Sequence, residues 1–407
     1  RHRLTRGATV VFEGDRLMID TTATTSSLAC YGADHRIVSI NKESRLARIA
    51  WSDGHVSEFH YLWLRDNCSC SLCRHPHTLE RTVDLMSLTG EVRPESAVVT
   101  EFGSIQIRWL GDGHVSSYER GWLRAHCYSE DARLSKRWRP VLWDASLGDD
   151  LSAVLYDDVM VSKASLLTWL RMLHDRGIAV IRSAPVQPRE VTRIACRFSR
   201  VRETNFGKHF DVVAIPEPNS NAYTSMHVSC HSDLPNWALP PGLQLLHCLK
   251  NNVDGGENML VDGFLVAEKL RLKNRSAFDL LTRVPIKFRY QDAETDLVHR
   301  APMISLDEDD EIVQVRFNRS VMEVLDVPSE LMEDVYRAYL AFSALVRDPG
   351  IVARYRFVPG DVLVFNNWRV LHGRDSFDPS SGERHLQGCY AETDDMLSRI
   401  RVLERSP

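Results

Sequence analysis

The chain has 407 residues, which is enough for two domains and a large buried core. Its formal net charge of −5 argues against general nucleic-acid binding, because that function needs a basic face. No run of about 18 apolar residues occurs, so we expect no membrane span. Nine cysteines, three of them crowded at 68–73, are typical of thiols in a reducing compartment. We therefore expect a cytoplasmic protein, or a mitochondrial one if a targeting segment precedes Arg1.

The first 128 residues contain an internal repeat. Residues 1–35 carry no clear pattern, but from 36 onward the segment IAWSDGHVS at 49–57 recurs as IRWLGDGHVS at 107–116. Each copy is followed by Trp-Leu-Arg and then by a cysteine, Cys68 or Cys127. Asp-Gly between alternating apolar residues is a strong hairpin signal. Residues 36–128 are therefore predicted to form a small β-rich module built from two hairpins.

A polar segment at 129–160 is predicted to link this module to a larger domain at 161–407. Helical spacing of leucines predicts a helix at 164–174, and a longer amphipathic helix is predicted at 329–346. Apolar runs predict strands at 177–181, 243–249, 313–317, 361–365 and 386–391. The fold class we predict is mainly β with flanking helices, a double-stranded β-helix or jelly roll.

A tight group of thiols in the N-terminal module has the spacing of a metal site. Cys68, Cys70 and Cys73 lie within six residues, and structural zinc takes four tetrahedral thiolate or imidazole ligands. The alternative is a metal-free packing role. The fourth ligand must come from elsewhere, and the sequence leaves four candidates open: His75, His77, His114 and Cys127.

The larger domain carries a second set of metal-binding residue types. His231 and Asp233 form a His-x-Asp pair, and His372 follows a predicted apolar strand. Two imidazoles and one carboxylate can bind Fe(II) on one face and leave positions open for a substrate and oxygen. Arg384 could clamp the carboxylate of a cosubstrate, which suggests 2-oxoglutarate. His-x-Asp alone is common, so the prediction depends on the combination.

Four segments together resemble the γ-butyrobetaine hydroxylase and trimethyllysine hydroxylase family. They are WLRDNCSC at 63–70, PGLQLLHC at 241–248, VDGF at 261–264 and NWRVLHGR at 367–374. The resemblance implies an N-terminal zinc module, a jelly roll that uses Fe(II) and 2-oxoglutarate, ascorbate as reductant, and a homodimer. It implies iron ligands at His231, Asp233 and His372, 2-oxoglutarate contacts from Arg384 and Leu246, and zinc ligands at Cys68, Cys70, Cys73 and His114. Within the repeat, His55 is the formal counterpart of His114.

The same resemblance implies a pocket for a trimethylammonium group, which aromatic faces recognise best. The aromatic cage falls on Phe206, Phe210, Tyr223 and Tyr390, with Phe206, Phe210 and Leu234 departing from the Tyr, Trp and Tyr of the animal butyrobetaine enzyme. The anionic end of the substrate is expected at Asn318, Arg319 and Asn219. The added guanidinium of Arg319 would suit a phosphonate at least as well as a carboxylate.

The leading hypothesis is hydroxylation of γ-butyrobetaine to L-carnitine with O2, a step of carnitine biosynthesis that releases succinate and CO2. Trimethyllysine and a trimethylaminoalkylphosphonate are the alternative substrates. Two other classes remain open: a non-catalytic, zinc-stapled binding protein and a hydroxylase of proteins. A protein hydroxylase needs an open groove, whereas four aromatics suggest a closed small-molecule pocket.

Overall fold

The computed structural model describes residues 31–32, 34–88, 92–149, 151, 153–215 and 221–405. The chain divides into two compact units, Arg1–Trp138 and Arg139–Pro407. Most of the unpatterned segment 1–35, and the predicted substrate contact Asn219, lie outside the described residues. Within the described part of the chain, no helix is long and apolar enough to cross a membrane.

The first unit consists of two three-stranded antiparallel sheets, ordered β1-β2-β3 and β4-β5-β6, with a short helix after each. Its elements are β1 (Ile37–Lys42), β2 (Leu46–Trp51), β3 (Val56–His60), α1 (Tyr61–Asp66), β4 (Pro94–Val99), β5 (Ile105–Trp109), β6 (Val115–Tyr118), α2 (Arg120–Ala125) and α3 (Glu130–Lys136). The two predicted hairpins are confirmed as β2-β3 and β5-β6. Gly54 and Gly113 sit in their turns with positive φ, a conformation that glycine adopts without strain.

The two halves of this unit share one apolar core. Ile49 and Trp51 of β2 pack in the same buried cluster as Ile107 and Trp109 of β5. Each tryptophan is buried and donates its indole N–H to a serine on the neighbouring strand, so the large rings enter the core with no unpaired polar atom.

The second unit contains the longer strands and most of the helices. Its elements are β7 (Ala153–Leu155), α4 (Tyr156–Val161), α5 (Lys163–Arg176), β8 (Ile178–Arg182), α6 (Glu190–Ala195), β9 (Val201–Arg202), β10 (Phe210–Val212), β11 (Val228–His231), β12 (Leu243–Asn251), β13 (Asp254–Gly255), β14 (Asn258–Asp262), α7 (Gly263–Lys273), α8 (Arg275–Arg283), β15 (Ile286–Gln291), β16 (Asp296–Ala301), β17 (Ile304–Leu306), β18 (Ile312–Val315), α9 (Met332–Val346), β19 (Ala353–Tyr355), β20 (Val362–Asn366), β21 (Val370–Arg374), β22 (Phe377–Asp378), β23 (Arg384–Ala391) and α10 (Thr393–Arg405).

Two sheets of this unit form the predicted jelly roll. The larger runs β10-β23-β12-β20-β8-β7, with β9 also on β23, and the smaller runs β11-β21-β14-β19. Leu246 and Leu363 of the larger sheet share a buried cluster with Leu260 and Val370 of the smaller one. Two facing sheets, antiparallel except for the parallel edge pair β7-β8, share one core and confirm the predicted fold class.

The helix predicted at 164–174 is observed as α5, and its ends show why it forms there. Ser162 accepts a hydrogen bond from the backbone N–H of Ser165, which caps the first turn. Gly177 ends the helix at φ +73°, and a Cβ there would lie 2.8 Å from Cδ of Arg369. Glycine is therefore required both by the left-handed turn and by the close approach of Arg369.

The other predicted elements appear with shifted ends. The strands predicted at 243–249, 361–365 and 386–391 are β12, β20 and β23, and the helix predicted at 329–346 begins as a 3₁₀ turn before α9. The segment 129–160, predicted as a linker, carries α3 in the first unit and β7 and α4 in the second.

Candidate active site and metal centres

The two histidines of the predicted iron site lie on neighbouring strands. His231 ends β11 and pairs directly with His372 of β21, after a register shift in the ladder. Their imidazole rings are 4.5 Å apart between centroids. Nδ1 of His231 lies 2.9 Å from the carbonyl of Ser229, a contact that fits a proton on Nδ1 and leaves Nε2 free for a metal.

Asp233 completes the cluster two residues beyond the end of β11. Its Oδ1 lies 3.2 Å from Nε2 of His231 and 3.8 Å from Nε2 of His372. The three side chains are between 14% and 18% exposed to solvent, so the cluster is open on one side. The three residues offer ligand atoms within 4.8 Å of one another, as one metal ion requires.

The backbone of Asp233 is clamped by the buried side chain of Asn367. The N–H of Asp233 donates to Oδ1 of Asn367 at 2.7 Å, and Nδ2 of Asn367 donates to the carbonyls of Asp233 and Pro241, both at 3.0 Å. Leu234, the next residue, has φ +54°. A leucine in this region is strained, and such strain is typical of functional sites whose surroundings fix the conformation.

The charge states of the triad suit a cation. Burial by itself would raise the pKa of Asp233, but His372 and hydrogen bonds from His231 and Tyr390 hold it well below its usual range. Burial lowers the pKa of His372 to about 4. The carboxylate is therefore ionised and the His372 imidazole neutral near pH 7, as metal ligands require. Burial lowers the pKa of His231, but contacts led by the hydrogen bond to Asp233 together outweigh it and raise that pKa, so a metal competes with a proton there.

Arg384, the predicted clamp for 2-oxoglutarate, is a buried guanidinium with spare hydrogen-bonding capacity. It begins β23 and donates to Oδ1 of Asn258 at 3.2 Å, while its Nε is buried without a partner among the described residues. Burial, and the proximity of Arg374 and Arg356, lower its pKa to about 10. A buried cation with an unsatisfied donor fits an anionic ligand, because leaving it unpaired costs free energy.

Arg374 is a functional residue to which the sequence analysis assigned no role, although it is the last residue of the NWRVLHGR segment. Its guanidinium donates to the carbonyls of Thr224 at 2.7 Å and Met226 at 2.9 Å, and lies 5.0 Å from the ring of Phe377. Those carbonyls belong to the segment that carries Tyr223. Arg374 therefore fixes the backbone next to this predicted cage residue. Its position two residues after His372 was the only signal for it in the sequence.

Three of the four predicted cage aromatics are brought together. Phe210 lies 5.1 Å from Tyr390 and 6.5 Å from Phe206 between ring centroids. Burial raises the pKa of Tyr223, and nearby Asp233 raises it further, which places Tyr223 close to the triad. Tyr290 was not predicted, yet its ring is 5.5 Å from Phe206, and its hydroxyl donates to Asp292 at 2.9 Å. The aromatic surface thus extends from Tyr390 to Tyr290.

Room for this surface is made by Gly388 on β23. A Cβ at Gly388 would lie 2.5 Å from the ring of Phe210 and 3.1 Å from Cδ2 of Leu246. Leu246, predicted to line the cosubstrate pocket, pairs with Gly388 in the ladder between β12 and β23. The aromatic surface and the predicted cosubstrate pocket therefore meet at Gly388.

The predicted anion-binding residues have different surroundings. Asn318 is half-buried beside the triad, where its Nδ2 lies 3.3 Å from the carbonyl of Ser232. Arg319 is exposed and close to Tyr339 of α9, whose pKa it helps to lower against the effect of burial. Asn219 is outside the described residues.

The first unit brings the four predicted zinc ligands together. Nε2 of His114 lies 3.3 Å from Sγ of Cys68 and 3.6 Å from Sγ of both Cys70 and Cys73. The geometry thus selects His114 from the four candidates that the sequence left open. Burial raises the pKa of Cys73 to about 12 without a metal, so a bound cation would have to displace the proton of that thiol.

A jelly roll that clusters two histidines and one aspartate, and that carries a buried arginine in the same fold, defines a class of protein, the non-haem iron oxygenases. Residues 144–390 match the taurine catabolism dioxygenase TauD, TfdA family, and residues 38–124 match the N-terminal region described as γ-butyrobetaine hydroxylase-like. The chain belongs to the TauD, TfdA dioxygenase family and, within it, to the γ-butyrobetaine and trimethyllysine dioxygenases.

Individual relatives cover nearly the whole chain. It is 39% identical to a γ-butyrobetaine dioxygenase of Pseudomonas sp. (strain AK-1) over 367 residues, which is 88% of this chain and 93% of the relative. It is 31% identical to a trimethyllysine dioxygenase of Meyerozyma guilliermondii over 91% of this chain and 96% of that one. Among solved structures, the PvcB protein of Pseudomonas aeruginosa is 20% identical over 56% of this chain and 80% of its own, with a TM-score of 0.44.

Proposed function

We propose that the protein is an Fe(II)- and 2-oxoglutarate-dependent hydroxylase of a small trimethylammonium compound, with γ-butyrobetaine as substrate and L-carnitine as product. The observation that carries the proposal is the cluster of His231, Asp233 and His372 with a buried, incompletely paired Arg384 in the same jelly roll. The 39% identical relative named γ-butyrobetaine dioxygenase supports the choice of substrate.

The chain's own residues would bind and orient the reactants. His231, Asp233 and His372 would hold iron, which supplies the chemistry that couples decarboxylation of 2-oxoglutarate to hydroxylation of the substrate. Arg384 would bind the distal carboxylate of 2-oxoglutarate, with Leu246 against its carbon chain. The site would thereby use one O2 and release succinate and CO2 for each hydroxyl group formed.

The aromatic surface would recognise the cationic end of the substrate. A quaternary ammonium group cannot donate a hydrogen bond, so its affinity must come from ring faces and from exclusion of water. Phe206, Phe210, Tyr223 and Tyr390 would supply these faces, and Asn318 would contact the opposite end. Arg319 and Asn219 are further proposed contacts for that end. Because Arg319 is exposed and Asn318 is half-buried, Arg319 is a weaker candidate than Asn318.

Trimethyllysine is the second candidate substrate, favoured by the 31% identity to a trimethyllysine dioxygenase. It differs from γ-butyrobetaine by two additional chain carbons and by an α-amino group, which needs a polar or acidic partner beyond the cage. We further propose a structural zinc ion at Cys68, Cys70, Cys73 and His114, ascorbate as the reductant that keeps iron as Fe(II), a homodimer, and a cytoplasmic location.

The test is succinate release by the iron-loaded protein with 2-oxoglutarate and O2, comparing γ-butyrobetaine, trimethyllysine and 2-trimethylaminoethylphosphonate. We expect the strongest stimulation by γ-butyrobetaine and none in the Asp233→Ala variant. Preference for trimethyllysine would replace the substrate within the family, and preference for the phosphonate would put Arg319 in the pocket. Turnover that persists in Asp233→Ala would contradict the iron site.

A further inference from the structure

The internal repeat of the first unit is also a repeat of its structure. The copy that contains β2, β3 and α1 corresponds to the copy that contains β5, β6 and α2, each a hairpin followed by a helix of six residues. The one-residue insertion in the second turn makes His55 equivalent to His114, and Cys68 equivalent to Cys127. Trp51 and Trp109 make the same indole hydrogen bond, to Ser57 and to Ser116, at 2.9 and 2.8 Å.

The two copies are joined crosswise, as around an approximate twofold axis. Arg65 of the first copy donates to Asp112 of the second at 3.1 Å. Its equivalent, Arg124 of the second copy, donates to Asp53 of the first at 2.8 Å. At the centre the equivalent residues Trp63 and Trp122 face each other, with ring centroids 5.3 Å apart. An arrangement of this kind creates two equivalent positions, each between the hairpin turn of one copy and the helix end of the other.

One of these positions is the four-residue cluster, with His114 from the second copy and the cysteines from the first. The other position holds His55 from the first copy and Cys127 from the second. Nε2 of His55 lies 3.3 Å from Sγ of Cys127, the same separation as between His114 and Cys68. The imidazole–thiol contact is therefore present at both positions, although only one copy has the crowded cysteines.

The two remaining thiol positions are occupied by other residues in the second copy. Counting from the equivalent cysteines, Ser129 takes the place of Cys70, and Ala132 takes the place of Cys73. The two segments share one backbone hydrogen bond: the N–H of Arg74 donates to the carbonyl of Cys70, and the N–H of Arg133 to that of Ser129, both at 2.9 Å, although the second copy continues as α3. Side chains at 129 and 132 thus start from a similar first turn to that of the thiols at 70 and 73.

At one of the two replaced thiol positions, a hydroxyl contacts the remaining cysteine. The hydroxyl of Ser57 donates to the buried Sγ of Cys127 at 3.2 Å, as the equivalent Ser116 contacts Cys68 in the other copy. Specific to the second copy is the contact of that Sγ with the hydroxyl of Ser129, at 3.4 Å. Ser129 also caps α3 by accepting from the backbone N–H of Ala132. One thiolate and one imidazole are too few ligands for the closed tetrahedral site that structural zinc requires.

We propose that His55 and Cys127 mark a second metal position of the module. Two of its thiolate ligands are replaced by Ser129 and Ala132, and a hydrogen-bonded imidazole–thiol pair joins the two copies there in place of a metal ion. The module then binds one zinc ion, at the cysteine cluster, and its second position is held by the His55–Cys127 contact without a metal. Since the position keeps its histidine, its first cysteine and its turn, replacing the two lost ligands should restore metal binding there. This inference goes beyond the proposed function and does not depend on catalysis.

The experiment measures zinc per chain in the full-length protein carrying Asp233→Ala, which disables the iron site as a zinc binder. We expect one tightly bound zinc in this background, and two after Ser129→Cys and Ala132→Cys are added. Adding His55→Ala to that double variant should return the content to one. No gain of zinc in the folded double variant, or two zinc ions before the cysteines are added, would overturn the inference. A background protein without any zinc would instead contradict the zinc site proposed at Cys68, Cys70, Cys73 and His114.

A second measurement needs no new cysteine, and therefore does not depend on the double variant folding. Co²⁺ bound by thiolates absorbs through charge transfer, so its spectrum reports occupancy of a cysteine site directly. In the Asp233→Ala background we expect His114→Ala to remove or strongly reduce this absorption and His55→Ala to leave it unchanged. Loss of absorption in His55→Ala would show that the second position already binds metal and would overturn the inference.

Discussion

The hydroxyl of Tyr390 donates a 2.8 Å hydrogen bond to Oδ2 of Asp233, while Oδ1 of the same carboxylate faces His231 and His372. The two oxygens of Asp233 are thereby divided between a protein donor and the metal position. Because the ring of Tyr390 also contacts Phe210 of the aromatic surface, the Tyr390 side chain joins the proposed substrate pocket to the proposed iron ligand. Hydrogen bonds of this kind orient a ligating carboxylate and tune the metal.

Replacing Tyr390 with Phe should weaken iron binding while leaving the aromatic face in place. Loss of a hydrogen bond to a metal ligand typically reduces metal affinity or activity by about 10- to 100-fold. We expect a change of this size in the Kd for Fe(II), with a much smaller change in KM for γ-butyrobetaine. Equilibrium titration of the apoprotein with Fe(II) under anaerobic conditions measures the first quantity, and steady-state kinetics the second.

Tyr290→Phe is the matched control for that variant. It also removes a tyrosine hydroxyl from the aromatic surface, but that hydroxyl donates to Asp292 rather than to a triad residue. Its Fe(II) affinity should equal that of the unmodified protein. Equal losses of iron affinity in both variants would mean that the hydrogen bond to Asp233 is not the cause.

Arg384→Gln should raise the concentration of 2-oxoglutarate required for turnover and leave Fe(II) affinity within error of the starting value. Truncating one partner of a buried, hydrogen-bonded charge pair costs roughly 2–5 kcal/mol, which corresponds to at least a tenfold weaker interaction. Comparison of KM for 2-oxoglutarate with KM for the trimethylammonium substrate checks the assignment. An increase confined to the second KM would move Arg384 to the substrate site.

Asn367→Ala should destabilise the protein and disturb the iron site together, because Asn367 holds both backbone groups of Asp233 from a buried position. Leaving buried backbone groups unpaired costs about 1–3 kcal/mol each. We expect a lower urea midpoint and weaker Fe(II) binding. Asn366→Ala, on the neighbouring residue whose side chain accepts only a local bond from Trp368, is the control and should retain iron affinity.

Phe210→Leu should reduce discrimination between a cation and its neutral isostere. Phe210 lies between Phe206 and Tyr390, and a leucine there keeps apolar contact but loses the ring face. Cation–π contacts contribute about 0.5–2 kcal/mol, so the preference for γ-butyrobetaine over 5,5-dimethylhexanoate should fall roughly 2- to 30-fold. Competition of the two compounds in the succinate assay gives the ratio, and an unchanged ratio would remove Phe210 from the cation site.

Much of the site could be predicted from local sequence because its ligands lie next to strong strand and turn signals. His-x-Asp and the NWRVLHGR segment identified the triad, and the cysteine spacing identified the thiols. The repeat also predicted both hairpins correctly. The His231–Asp233 pair, the three thiols and the two hairpins are each local in sequence, so periodicity and turn chemistry carry the information. His372 is distant in sequence and is brought to the pair by the pairing of β11 with β21.

The sequence by itself determined the residue types, the two modules and the jelly-roll class, because these depend on local patterns of apolar and turn-forming residues. Only the tertiary structure decided which histidine joins the cysteines, since the crosswise packing of the two copies places His114, and not His55, beside Cys68. It also decided that Tyr390 and Asn367 hold Asp233. These contacts join residues more than 40 positions apart, and their geometry is set by how the sheets pair and pack.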